Sequence, residues 1–168
     1  MVFVDAPNIL CPYDTDGPDN MARMEAVGKT LGRTLRGWYW LKSADPEVVC
    51  GLDTSIDMLQ SVLDNQGPFD GVLGFSQGAL MAAVLCSLLE TRDEKMSSDW
   101  THPPFKFAVL ASGYKLQDPK WTPLYARGIE TPSLHIYGVL DPMIRVSRSA
   151  ELRDVFVQPQ EFGFLGTE

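Results

Sequence analysis

The 168-residue chain has only three cysteines, Cys11, Cys50 and Cys86, and they follow neither a C-x-x-C nor a zinc-ligand spacing. An odd, scattered set argues against a disulfide framework and points to reduced thiols in the cytoplasm. None stands beside a candidate histidine base, so a cysteine nucleophile is not expected. Basic charge is also scarce: 14 Lys and Arg face 22 Asp and Glu, for a net charge of −8. Without a basic stripe to neutralise phosphates, a nucleic-acid partner is not expected. No apolar run approaches the length that spans a bilayer, and Met1 to Pro7 lacks the basic start and apolar stretch of a signal peptide. No membrane partner, metal or organic cofactor is therefore expected. Histidine is the scarcest ionisable residue, present only as His102 and His135.

What is present fits one ordinary α/β domain spanning residues 1–168. Val2-Phe3-Val4 reads as a short buried strand. Leu10 to Asn20 reads as loop, and Met21 to Leu35 carries loose helical spacing. Trp38, Tyr39 and Trp40 form an aromatic knot suited to core or lid packing, or to an apolar acyl pocket. Leu52, Ile56, Leu59 and Leu63 predict a helix with Asp53 or Thr54 as its N-cap, stopped by Gly67-Pro68. Strands are expected at 71–75, 105–112 and 133–137, with a short last one at 162–165. Helices are expected after Ser76 and over 146–156. Strands apolar on both faces and alternating with helices imply a mostly parallel sheet with helices on both faces. Ligand sites in such sheets lie at the carboxyl ends of the strands, where Ser76 and Asp141 both fall.

Gly74-Phe75-Ser76-Gln77-Gly78 is G-x-S-x-G between an apolar strand and an apolar helix, the context of a nucleophile elbow. Glycine on both flanks removes the side chains that a tight strand-to-helix turn would crush. The backbone N–H of Gln77 is then an oxyanion-hole donor at the positive end of the helix. Asp141 follows the strand Ser133 to Tyr137 and comes after the serine in chain order, as a triad acid should. The expected site is therefore Ser76, Asp141 and Gln77.

Further stretches carry a resemblance. Arg36-Gly37-Trp38-Tyr39-Trp40, the run from Gly67 to Ala79 (GPFDGVLGFSQGA), Phe105 to Val109, Ser112-Gly113-Tyr114, Thr131 to His135, and Gly138 with Asp141 resemble the fungal FSH-type serine hydrolases. The likeness runs from Val4 to about Pro159. It implies an α/β-hydrolase fold and a serine esterase or thioesterase, cleaving carboxylic esters or acyl thioesters. Some members release polyketide acyl chains from synthases in pathways of the lovastatin type. That implies secondary metabolism and a small-molecule acyl substrate, a chain carried by a synthase included.

The resemblance also implies parts this chain lacks. Family members begin with a strand ending in a His-Gly-Phe loop, and place the base in a Gly-Gly-His loop after the last strand. The α/β-hydrolase domain is thus expected to be partial, its first strands and terminal histidine loop absent. Either a gap in the middle of the sheet or a direct pairing of strands that do not normally meet should result. His102 precedes a strand at the opposite sheet edge, and His135 lies within a strand, so neither is expected to reach Ser76. A truncated or mis-spliced product and a degenerate homologue kept for acyl binding are the two expectations for such a chain.

Overall fold

The computed structural model describes residues 1–10, 32, 34–44, 46–91 and 100–166, in two compact units, Met1–Leu59 and Gln60–Glu168. Cys11 and most of the helix expected over Met21 to Leu35 lie outside the described residues.

The first unit contains two small antiparallel pairs. Strand β1 (Asn8–Ile9) pairs with β2 (Arg36–Gly37), and β3 (Trp40–Ala44) forms a hairpin with β4 (Glu47–Cys50). The Asn8 amide reaches the carbonyls of Gly37, Trp38 and Gly51 and the Ser55 hydroxyl at 3.0–3.2 Å, tying these segments to the next helix. Tyr39 and Leu52 are buried here, so the aromatic knot is at least partly core. Helix α1 (Leu52–Gln66) starts one residue past Gly51, whose carbonyl accepts the Ser55 N–H. Gly51 therefore holds the N-cap position expected of Asp53 or Thr54. Its φ is +80°, and a Cβ there would strike the Trp40 ring, so the turn needs glycine. Val2-Phe3-Val4 is not a strand: Val2 and Phe3 are exposed, and the pairing falls at Asn8–Ile9 instead. A three-residue apolar run has no strand structure without a neighbour to pair with.

The second unit is built on a four-stranded parallel sheet. Its strands are β5 (Gly71–Phe75), β6 (Phe107–Ala111), β7 (Ser133–Gly138) and β8 (Pro159–Phe164), side by side in that order. Helix α2 (Gln77–Thr91) packs on β5 and β6, and α3 (Val146–Arg153) packs on β7. Ala79 to Leu89 are all buried, which is why α2 has almost no polar face. A single 3₁₀ turn, Thr122–Tyr125, lies between β6 and β7, and the Ser87 hydroxyl donates to Leu124 O. At the far end of α2, Glu90 accepts the N–H groups of Glu130 and Thr131, each at 2.8 Å, and the Thr131 hydroxyl. These bonds fix the approach to β7.

Strand β5 is an edge of this sheet. Among the described residues it pairs on one side alone, with β6. Register shows how the faces divide. Gly71, Leu73 and Phe75 pair with Phe107, Val109 and Ala111, and Ile136 of β7 pairs with Phe162. Leu73, Phe75, Phe107 and Phe162 fall on one face and stay exposed, while Ala108, Leu110 and His135 line the helix-covered face and are buried.

His135 shows what that burial costs. Its ring packs edge-on to Phe156 at 4.9 Å, and its Nε2 lies 3.1 Å from the Ser133 hydroxyl. Burial first, and the Arg153 charge second, hold its pKa down to about 4. A base depressed in the folded state leaves the unfolded chain with more bound protons between its ordinary pKa of 6.5 and about 4. Stability is therefore complete above 6.5 and falls on acidification through that window by roughly 2–3 kcal/mol. His135→Gln should flatten this dependence, as denaturant melts at pH 7 and pH 4.5 will report.

Candidate active site

The turn after β5 has the strain a nucleophile elbow requires. Ser76 has φ +52°, the left-handed region that side chains other than glycine seldom occupy. Its N–H donates to Ala111 O at 2.9 Å, extending the β5–β6 ladder by one residue, while its carbonyl accepts the N–H groups of Ala79 and Leu80. The serine thus ends the strand and starts the helix at once. A Cβ on Gly74 would fall inside contact distance of the Gly78 carbonyl, so the motif's first glycine is needed for the helix to fold back this closely. Gln77 is the first residue of α2, and its amide belongs to the first turn, whose N–H groups point out of the helix.

Asp141 sits in the loop after β7, at the same sheet edge as Ser76, with β6 between their strands. It is buried, and its Oδ1 accepts the N–H groups of Met143 at 2.8 Å and Ile144 at 2.9 Å. Two amides on one carboxylate oxygen hold the side chain in a single orientation.

Between these two strand ends lies a second strained serine. Ser112 follows β6 with φ +47°, is buried, and donates its N–H to Ile136 O at 2.8 Å. A Cβ on the adjacent Gly113 would press on Leu152 of α3 and meet Ala79 in the first turn of α2. The loop after β6 is therefore wedged between the elbow helix and α3, and the Ser149 hydroxyl fastens it by donating to Gly113 O at 3.0 Å. In the sequence, Ser112-Gly113 stands out by its resemblance alone. A small residue pair closing a buried strand was the signal that could have marked it as structural.

Neither histidine joins this edge. His102 is buried between Phe69 and Phe105, accepts the Phe69 N–H at Nε2 (2.7 Å), and lies 2.6 Å from Pro103 O at Nδ1. Phe69 precedes β5 whereas Ser76 follows it, which separates them by roughly 20 Å at about 3.3 Å per residue. His135 is enclosed on the helix-covered face, three residues short of the end of β7. Cys86 is buried too, its thiol pushed up to about 12 chiefly by desolvation, and is unsuited to nucleophilic work. Among the described residues there is no group of three or more His, Cys, Asp or Glu able to hold a metal ion, and no helix long and apolar enough to cross a membrane.

A parallel sheet flanked by helices, with a strained serine between its edge strand β5 and helix α2, defines the α/β-hydrolase class. The maize acyl-protein thioesterase 2 structure has the same fold, with a TM-score of 0.54 at 18% identity over 82% of this chain and 67% of that one. The sequence profile described as "Serine hydrolase (FSH1)" matches residues 1–166, and the chain belongs to this family. Among its relatives, esterase OVCA2 of Xenopus tropicalis is 33% identical over 132 residues, 74% of this chain and 54% of that protein. Family of serine hydrolases 3 of Saccharomyces cerevisiae is 43% identical over 91 residues, 52% of this chain and 32% of that protein. The chain spans about half or less of the length of these two relatives.

Proposed function

We propose that the chain is part of a cytoplasmic serine hydrolase for carboxylic esters or acyl thioesters, working through an acyl-enzyme on Ser76. The observation that carries this reading is the left-handed backbone of Ser76 at a strand–helix junction that only a glycine at position 74 permits. Ser76 Oγ attacks the substrate carbonyl, the alcohol or thiol departs with a proton, and water then releases the acid and restores the hydroxyl. Gln77 N–H stabilises the oxyanion. Asp141, held by its two amides, orients the base and stabilises its cation. The reading takes residues 1–168 as one partial domain and needs no metal or organic cofactor. Polyketide secondary metabolism and a synthase-carried acyl chain are its finer form, supported by the sequence resemblance alone.

The proton on Ser76 Oγ needs an acceptor, and both histidines are engaged elsewhere. That observation favours a second reading of this 168-residue chain, a non-catalytic acyl-binding domain on a hydrolase scaffold. Short p-nitrophenyl esters separate the two. Slow turnover lost in Ser76→Ala supports the enzyme, turnover indifferent to that change removes the nucleophile assignment, and saturable acyl binding without turnover supports the binding domain.

A further inference from the structure

The rim of the catalytic edge, formed by the segments that follow β6 and β7, carries cations. Between Val139 and Ser149, the stretch running from β7 into α3, the only acid is Asp141, and two arginines follow it, Arg145 and Arg148. Arg145 caps the N-terminus of α3, and that helix has no acidic residue in its first turn. Cations at the positive end of a helix dipole are placed against their preference, and such local conflicts concentrate at functional sites. The neighbouring loop adds Lys115, on the segment that leaves β6 at Ser112. Acids stand in the same rim, Asp118 on that loop and Glu151 on α3, whose Oε2 accepts the Gln117 amide at 2.9 Å.

Arg148 is fixed within the rim. Its guanidinium lies over the Tyr114 ring at 4.6 Å, and Tyr114 is two residues past Ser112. The bond from Ser149 to Gly113 O clamps the two segments together at this point. Among the described residues no carboxylate pairs with Arg148. Stacking spends one face of a planar guanidinium and leaves its N–H fork available in the plane, the geometry that binds carboxylate or phosphate bidentately. Lys115 is likewise placed over the Tyr125 ring, at 5.9 Å.

We propose that Arg148, stacked on Tyr114 between the loops that follow β6 and β7, is a specificity residue that docks an anionic group of the substrate. The inference rests on the hydrolase reading and narrows its substrate to an acyl donor bearing a carboxylate or a phosphate. The anion has two possible sources, the far end of the acyl chain or a phosphorylated thiol leaving group.

The test measures equilibrium binding to the Ser76→Ala protein by calorimetry, so its outcome is independent of turnover. Two pairs of inert probes are compared: N-hexylsuccinamic acid against its methyl ester, and S-butyl-phosphopantetheine against S-butyl-pantetheine. In one pair the charged member should bind at least tenfold more tightly. Arg148→Gln should abolish that preference without altering the neutral member, Arg148→Lys should restore part of it, and 0.5 M salt should shrink it. The preferred pair identifies the source of the anion. A charge preference below twofold in both pairs, a preference that survives Arg148→Gln, or no binding of any probe at millimolar concentration overturns the proposal. Thermal melts of both variants within a few degrees of the parent establish that they fold.

Discussion

A fluorophosphonate probe will label Ser76 of this chain about 10⁵- to 10⁶-fold more slowly than it labels a relative with a histidine base. Without a base the hydroxyl keeps the low nucleophilicity of an alcohol, and loss of the histidine from a serine triad costs about a millionfold in turnover. Ser76→Ala should remove the residual label entirely. His102→Ala and His135→Ala should leave the labelling rate per folded molecule unchanged, because both rings are committed to buried partners away from the elbow. The rate should also show no step near the imidazole pKa of about 6.5. Intact-mass spectrometry over hours reads all four outcomes. Rapid labelling abolished by either histidine substitution would falsify the placement of that side chain and reveal a substitute triad.

Replacement of Gly74 by alanine should damage both the fold and the elbow. The added carbon meets the Gly78 carbonyl and the Ala79 amide, which are backbone atoms with no rotamer to escape into. The start of α2 must move away from β5, at a cost of about 2–4 kcal/mol for overpacking a tight contact. For a chain of this size that lowers the melting temperature by roughly 5–15 °C. The same displacement carries Ser76 Oγ out of line with any carbonyl docked on the Gln77 amide, and a shift of about 1 Å costs roughly a hundredfold in rate. Calorimetry and probe labelling on the same sample test the two effects. A variant that melts like the parent would mean that α2 is held off β5 by something other than this glycine.

The central elements were readable because each is specified locally. Helix α2 begins where Ser76 ends an apolar strand, and Gly67-Pro68 stops α1 at Gln66. The parallel order followed from strands apolar on both faces. The β3–β4 hairpin was missed because it has no clean two-residue alternation and its register shifts between Leu41 and Ser43, so pairing rather than pattern defines it. The 3₁₀ turn at Thr122–Tyr125 escaped for a related reason, since one turn containing Pro123 has no periodicity to detect. At the candidate site, the positions of Ser76 and Asp141 just past two strand ends were legible from the strands before them. What defines their geometry was not: the left-handed Ser112 and the wedge at Gly113 depend on contacts distant in sequence, and the two amides on Asp141 come from a local turn that has no periodicity to read.

Glu90 gives α2 a mechanical role. The helix is seated at one end in the strained turn of Ser76, and at the other it grips Glu130 and Thr131, two residues before β7 begins. A carboxylate at a helix C-terminus is ordinarily unfavourable, and here three donated hydrogen bonds offset that cost. The helix therefore acts as a strut across the sheet, from the nucleophile turn to the root of the strand that carries the acid. Loop changes between β6 and β7 that spare this grip can reshape the rim while the span between nucleophile and acid stays fixed. Loosening the grip at Glu90 would let that span drift, although no residue of the site itself had changed.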